Sequence, residues 1–102
     1  MKGLAMLLRS AVGKELRAAR IFQSRTLRDV ARDARVSLGY LSEVERGQKE
    51  ASSELLASIC SALNIQLSVL LNEVATSIAK SEKATLAVVS QINSDEKISD
   101  AA

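Results

Sequence analysis

The sequence predicts an all-α protein of five helices, and three observations carry that prediction. The chain of 102 residues contains no proline, which suits continuous helix because proline breaks helix interiors. Apolar residues recur at spacings of three and four along most of its length, the period of a helix with one buried face. Ser or Thr stands ahead of three of these stretches, at Thr26, Ser37 and Ser52 or Ser53, where helix N-caps prefer a short side-chain oxygen. Phe22 and Tyr40 are the only aromatic residues, so the core must be built from Leu, Ile, Val and Ala.

Helix 1 covers about 10–23, with Val12, Leu16 and Ala19 on one face, and "SRT" ends it. Helix 2 is "TLRDVARDA". Thr26 opens it and the Thr26–Asp29 spacing resembles a capping box; Leu27, Val30, Ala31 and Ala34 form its apolar face. Helix 3 is opened by Ser37, points Leu41 and Val44 inward, and stops at Gly47, a residue that takes positive φ without penalty. Gly39 falls in its second turn, where glycine costs about 1 kcal/mol against alanine. Helix 4 is "SSELLASICSALN", with Leu55 or Leu56, Ile59, Ala62 and Leu63 inward and Cys60 beside them as a small buried hydrophobe. Helix 5 begins near Ser68, and its helical spacing of Leu67, Leu70, Leu71, Val74 and Ile78 runs on unevenly through Ala84, Leu86, Val88, Val89 and Ile92. The polar stretch "NSDEKISDAA" is expected to be a disordered tail.

Several functions are poorly supported. Histidine is absent, which removes the commonest general base and metal ligand. Cys60 is the single cysteine, so neither a disulfide framework nor a cysteine zinc site is available. No glycine-rich loop cradles a phosphate. The expectation is a non-enzyme without cofactor or metal. No run of about 18 apolar residues could span a membrane, so no membrane partner is expected. "MKGLAMLL" mimics the front of a signal peptide, but its apolar part is short and Arg9 follows, so a cytoplasmic location is expected.

The net charge of +2 is unevenly spread: residues 1–63 carry 11 basic and 7 acidic groups, residues 64–102 carry 3 and 5. Seven arginines lie between Arg17 and Arg46. Such a basic half points to an anionic partner such as nucleic acid.

Helices 2 and 3, joined by a short turn, follow the helix-turn-helix plan. In that plan the second helix enters the DNA major groove with its N-terminal residues toward base edges, while the first crosses above it. Ala31 is small enough for a close crossing, Val36 plugs the turn, and Leu41 and Val44 anchor the second helix. Ser37, Leu38, Gly39, Ser42 and Glu43 are then the candidate base contacts. Gly39 permits close approach, Leu38 suits a thymine methyl, Glu43 can accept from cytosine N4, and Ser42 can bond a base or a phosphate. Thr26 and Arg28 on one side, and Arg46 and Lys49 on the other, are the candidate phosphate contacts.

The stretch "TLRDVARDARVSLGYLSEVERG" closely resembles the helix-turn-helix domain of the Xre/Cro repressor family, matching it at Thr26, Leu27, Val30, Ala31, Val36, Ser37, Tyr40, Leu41, Ser42, Val44, Glu45 and Gly47. The resemblance covers about residues 10–72. It implies a five-helix, λ-repressor-like bundle that binds palindromic double-stranded DNA as a homodimer. It also implies an ion pair between Arg20 and Glu45 that orients helix 3. Two positions depart from the family pattern: Arg35 stands where the turn usually carries glycine, and no proline follows "ERG". The longer stretch 25–71 is similar to actinobacterial regulators of Clp protease genes. This implies a transcriptional activator of Clp and related proteostasis genes, which would also meet RNA polymerase.

The expected organisation is an N-terminal arm over 1–9, a DNA-binding domain over 10–72, a helical dimerisation extension over 73–92 and a tail over 93–102. The apolar stripe of helix 5 would be exposed on a monomer, so Leu70, Leu71, Val74 and Ile78 are expected to form a dimer interface. The terminal Ala101 and Ala102 could be read as a degradation signal by Clp-type unfoldases. An alternative stays open, an antitoxin-like interaction module that masks a partner protein.

Overall fold

The computed structural model describes the backbone of residues 7–100, with side chains through Ala84 and at Leu86. Five helices follow in order: α1 Leu8–Phe22, α2 Leu27–Ala34, α3 Leu38–Glu45, α4 Ser53–Ala62 and α5 Leu67–Asp100. No strand occurs among the described residues. Ala101 and Ala102 lie outside them.

One local solution ends each of the first four helices. A residue with positive φ, at Ser24, Arg35, Gly47 and Asn64, turns the chain, and two backbone amides fold back onto the last carbonyls. After α2, the Arg35 N–H donates to Arg32 O at 3.1 Å and the Val36 N–H to Ala31 O at 3.0 Å. This paired pattern is the Schellman motif, repeated at Ser24/Arg25, Gly47/Gln48 and Asn64/Ile65. Only Gly47 is free of steric penalty there; a side chain in the left-handed region costs roughly 1 kcal/mol. Two residues after Ser24 and Arg35, and five after Gly47, a new cap opens the next helix. Thr26, Ser37 and Ser52 accept from the N–H of Asp29, Tyr40 and Leu55 at 3.0, 3.0 and 3.2 Å. At Thr26, hydrogen bonding with the hydroxyl is the main reason that the Asp29 carboxyl sits below its usual range.

These tight turns bring the apolar faces together around Leu16, Val30, Ala31, Ala34, Leu41, Val44, Ile59, Cys60 and Leu63, all buried. Burial pushes the Cys60 thiol pKa up, as for a small hydrophobe. Leu56, not Leu55, packs onto this core.

Helix α5 corrects two sequence expectations. Leu70 and Val74 are each 2% exposed, and Ile78 is half-buried against the chain's own core. They are not a free stripe, because α5 lies across α1 and α4 and spends that face on its own fold. Among the four expected interface residues only Leu71 is exposed, at 46%. The backbone is also helical through Asp100, where a disordered tail was expected; no glycine or proline occurs after Gly47 to stop it. This helix gives the molecule a long dimension of 61 Å against widths of 24 and 22 Å.

Helix α3 is held from behind by α1. Gly13 makes this possible: a Cβ there would lie 2.3 Å from Val44 O and 2.6 Å from Glu45 O. The end of α3 therefore rests on bare α1 backbone. Gly47 makes a matching approach to Ser10, and Arg9 Nε donates to Gly47 O at 3.1 Å. Arg20 completes the clamp. Its Nε and Nη2 donate to Glu45 Oε2 and Oε1 at 2.8 and 2.9 Å, and its Nη1 to Arg25 O at 3.0 Å. The two side chains are 14% and 6% exposed, and the hydrogen bonds to Glu45 hold the guanidinium still more firmly protonated than usual.

Gly13→Ala should therefore destabilise the fold by about 1–3 kcal/mol or more, the usual range for forced overpacking, read as a lowered urea midpoint. The Asp29 shift has its own sign. A depressed carboxylate pKa adds stability that is present above the unfolded value of about 4 and lost as pH falls through the lower folded value. Asp29→Asn should accordingly lose less stability than wild type between about pH 5 and pH 2.5, measured by thermal unfolding across that range.

Candidate nucleic-acid interface

With its inner side occupied by Leu41 and Val44 and its end clamped to α1, α3 presents the other side to solvent. Ser37, Leu38 and Gly39 are exposed, and Ser42 and Glu43 half-buried. Gly39 is the second residue of α3, so it stands in the first turn rather than the second, where a helix tolerates glycine more easily because its N–H groups have no intrahelical partner anyway. A Cβ built on Gly39 would meet nothing within 4 Å. No contact among the described residues requires glycine at this position. Ser37 has two uses available, since its oxygen caps Tyr40 N–H while its hydroxyl hydrogen remains to be donated.

The basic residues around α3 divide by what they hold. Arg46 Nη1 donates to Ser42 Oγ at 2.7 Å and its Nη2 to Gln48 Oε1 at 3.3 Å, both neutral acceptors, so its charge stays uncompensated. Lys49 Nζ lies 3.6 Å from Glu43 Oε1 and 5.8 Å from the Tyr40 ring centroid. The candidate base contacts Ser42 and Glu43 are thus each paired with a candidate phosphate contact, Arg46 and Lys49. The Lys49–Glu43 ion pair is exposed and so worth only about 0–1 kcal/mol, and Arg46 holds only neutral partners, so an anion can draw both cations away.

At the start of α2, Thr26 and Arg28 are exposed, and Arg28 makes no side-chain hydrogen bond or ion pair among the described residues. The other arginines of the basic half are partly committed to structure. Arg25 bonds Asp33 and the Ala62 carbonyl, tying α2 to the end of α4. Arg32 pairs with Asp29 and Asp33, each at 3.3 Å. Charge counting along the chain therefore overstates the basic groups available to a partner.

Sequence reasoning missed Arg9, Ser10 and Gly13 as the residues that seat α3. The signal was faint: one glycine inside the otherwise regular helix 1, with Arg9 assigned to an arm. No group of three or more potential metal-ligating side chains occurs among the described residues, and no single helix there is long and apolar enough to cross a membrane.

Comparison with known proteins agrees with this geometry. Residues 16–70 match the helix-turn-helix family. The transcriptional regulator ClgR of Mycobacterium tuberculosis is 56% identical over 80 residues, spanning 78% of this chain and 71% of that protein. Two crystal structures of the clp gene regulator ClgR from Corynebacterium glutamicum superpose with TM-scores of 0.71 and 0.73. The first is 52% identical and covers 76% of this chain and 99% of that one; the second is 44% identical and covers 93% and 96%. The restriction-modification controller protein C.Esp1396I, solved as a tetramer with its natural 35-base-pair operator, shares the fold at a TM-score of 0.68 and 22% identity, over 72% of this chain and 97% of that one. The chain belongs to the Xre-type helix-turn-helix family of transcriptional regulators and is a homologue of ClgR.

Proposed function

We propose that this regulator is an activator of Clp protease and related proteostasis genes that reads a palindromic operator as a homodimer. The observation that carries the DNA reading is the outer face of α3. Leu38, Gly39, Ser42 and Glu43, with the cap Ser37, belong to one short helix whose opposite side is buried and whose end is seated on α1. A helix so held can enter a major groove about 12 Å wide as a rigid probe. Thr26 and Arg28 would then meet one phosphate wall, and Arg46 and Lys49 the other. As phosphates take up Arg46 and Lys49, Ser42 and Glu43 lose their present partners and turn to base edges. Glu43 would accept from a cytosine amino group and Leu38 would meet a thymine methyl. The Clp targets rest on the similarity to ClgR, a clp gene regulator in Corynebacterium glutamicum. As an activator it would have RNA polymerase as a further partner at the promoter.

The homodimer would use what the fold leaves uncovered. Leu67 and Leu71 are 37% and 46% exposed and one turn apart on α5. Leu71 borders an apolar groove of about 140 Å³ lined also by Leu8, Val12 and Leu56. Leu8 is itself 63% exposed and Leu86, further along α5, 66%. A helix that projects beyond its own domain gains little from propensity alone, and a second copy is the partner that symmetric regulators supply. Two reading helices about 34 Å apart would then face one side of a palindrome.

Selection of bound sequences from a random duplex pool at physiological salt, with wild type and Glu43→Ala in parallel, tests the DNA reading. A palindromic motif is expected, with preference relaxed at one base pair per half-site in the variant by about 1–3 kcal/mol. Absence of any enriched motif overturns it. For the dimer, sedimentation equilibrium of Leu71→Asp should show a shift toward monomer with helix content retained by circular dichroism; an unchanged mass removes this face from the interface.

A further inference from the structure

We propose that Arg35, in the turn between α2 and α3, is a phosphate contact that fixes the depth and register of the reading helix on DNA; this rests on the DNA reading above. Arg35 takes the left-handed backbone, φ 59° and ψ 42°. Glycine is the residue that this conformation favours; Ser24 and Asn64 also carry side chains there, so what distinguishes Arg35 is its charge. Arg35 is exposed, and among the described residues its side chain makes no hydrogen bond or ion pair, while its backbone N–H bonds Arg32 O. The carboxylate nearest in sequence, Asp33, is already shared by Arg25 and Arg32. The charge of Arg35 is left wholly to a partner.

Its position says which partner. Only Val36 separates Arg35 from Ser37, the cap of α3, so the two Cα atoms are at most about 7 Å apart. A helix whose first turn sits in the major groove has a phosphate backbone on each wall. An arginine rooted at the mouth of that turn, on a backbone locked by two hydrogen bonds, can reach the wall while the helix reaches the floor. Guanidinium suits this role because its planar fork bonds two phosphate oxygens together. Thr26 and Arg28 stand at the far end of α2, so Arg35 would add a grip directly beside the bases being read.

Arg35→Gly separates this role from a structural one, because glycine relieves the backbone while it deletes the charge. Affinity for a duplex carrying the selected site is measured across about 50–200 mM salt, beside thermal unfolding. The expected outcome is about three- to tenfold weaker binding, a fall of about 1 per protomer in the slope of log affinity against log salt, the same preferred motif, and a thermal midpoint equal to or above wild type. Arg35→Lys should restore the slope. Unchanged affinity and slope in Arg35→Gly, or a changed motif, or a slope that lysine does not restore, overturns the phosphate contact alone. Wild-type protein that binds no duplex overturns the proposed function and this contact with it.

Discussion

The bare backbone of α1 at Gly13, against which the last carbonyls of α3 rest, is the constraint on which the reading surface depends. A helix of eight residues is too short to persist by itself in water, and only its inner two residues, Leu41 and Val44, are buried. Its direction must come from outside. Gly13 removes the side chain that would hold the helices apart, Arg9 takes the Gly47 carbonyl, and Arg20 grips Glu45 with a two-pronged bond. Those contacts bracket the C-terminal end of α3 and leave its N-terminal end free to project.

The Arg20–Glu45 pair illustrates the balance of forces. A nearly buried ion pair is weak as a source of net stability, because desolvation offsets much of the attraction. Its strength lies in direction: a planar guanidinium and a planar carboxylate lock in one relative orientation. With Nη1 also bonding Arg25 O, the same side chain ties the α1–α2 turn to the end of α3. The turns contribute in the same spirit. Three of the four left-handed positions carry side chains rather than glycine, so the fold accepts local strain at its corners and recovers it through caps and core burial.

The surface that results is poised rather than bare. Ser42 and Glu43 rest on Arg46 and Lys49 in the free protein. Weak, exposed pairs keep long basic side chains near the helix without committing them. In the proposed complex, phosphate would compete for these groups and release the acceptors Ser42 and Glu43 toward the bases. The committed arginines, Arg20, Arg25 and Arg32, hold the scaffold, so charge and architecture are divided among residues of one type.

Much of this was legible in the sequence. The helices and their caps at Thr26, Ser37 and Ser52 follow from short-range rules: side-chain oxygens satisfy the first N–H groups, and apolar residues recur at the helical period. The motif from Thr26 to Gly47 likewise marked the second helix of the helix-turn-helix and its outward residues, because period and cap together fix which side faces out. Tertiary structure decided what depends on residues distant in the chain. It assigned Leu70 and Val74 to the core, since periodicity shows that a stripe will be buried but not whether α1 or a second copy buries it. It carried helix through Asp100, where polarity alone suggested none. It also revealed Gly13 as the seat of α3 and left Arg35 without a partner among the described residues, because close approach and ion pairing are matters of distance across the fold, which no local pattern encodes.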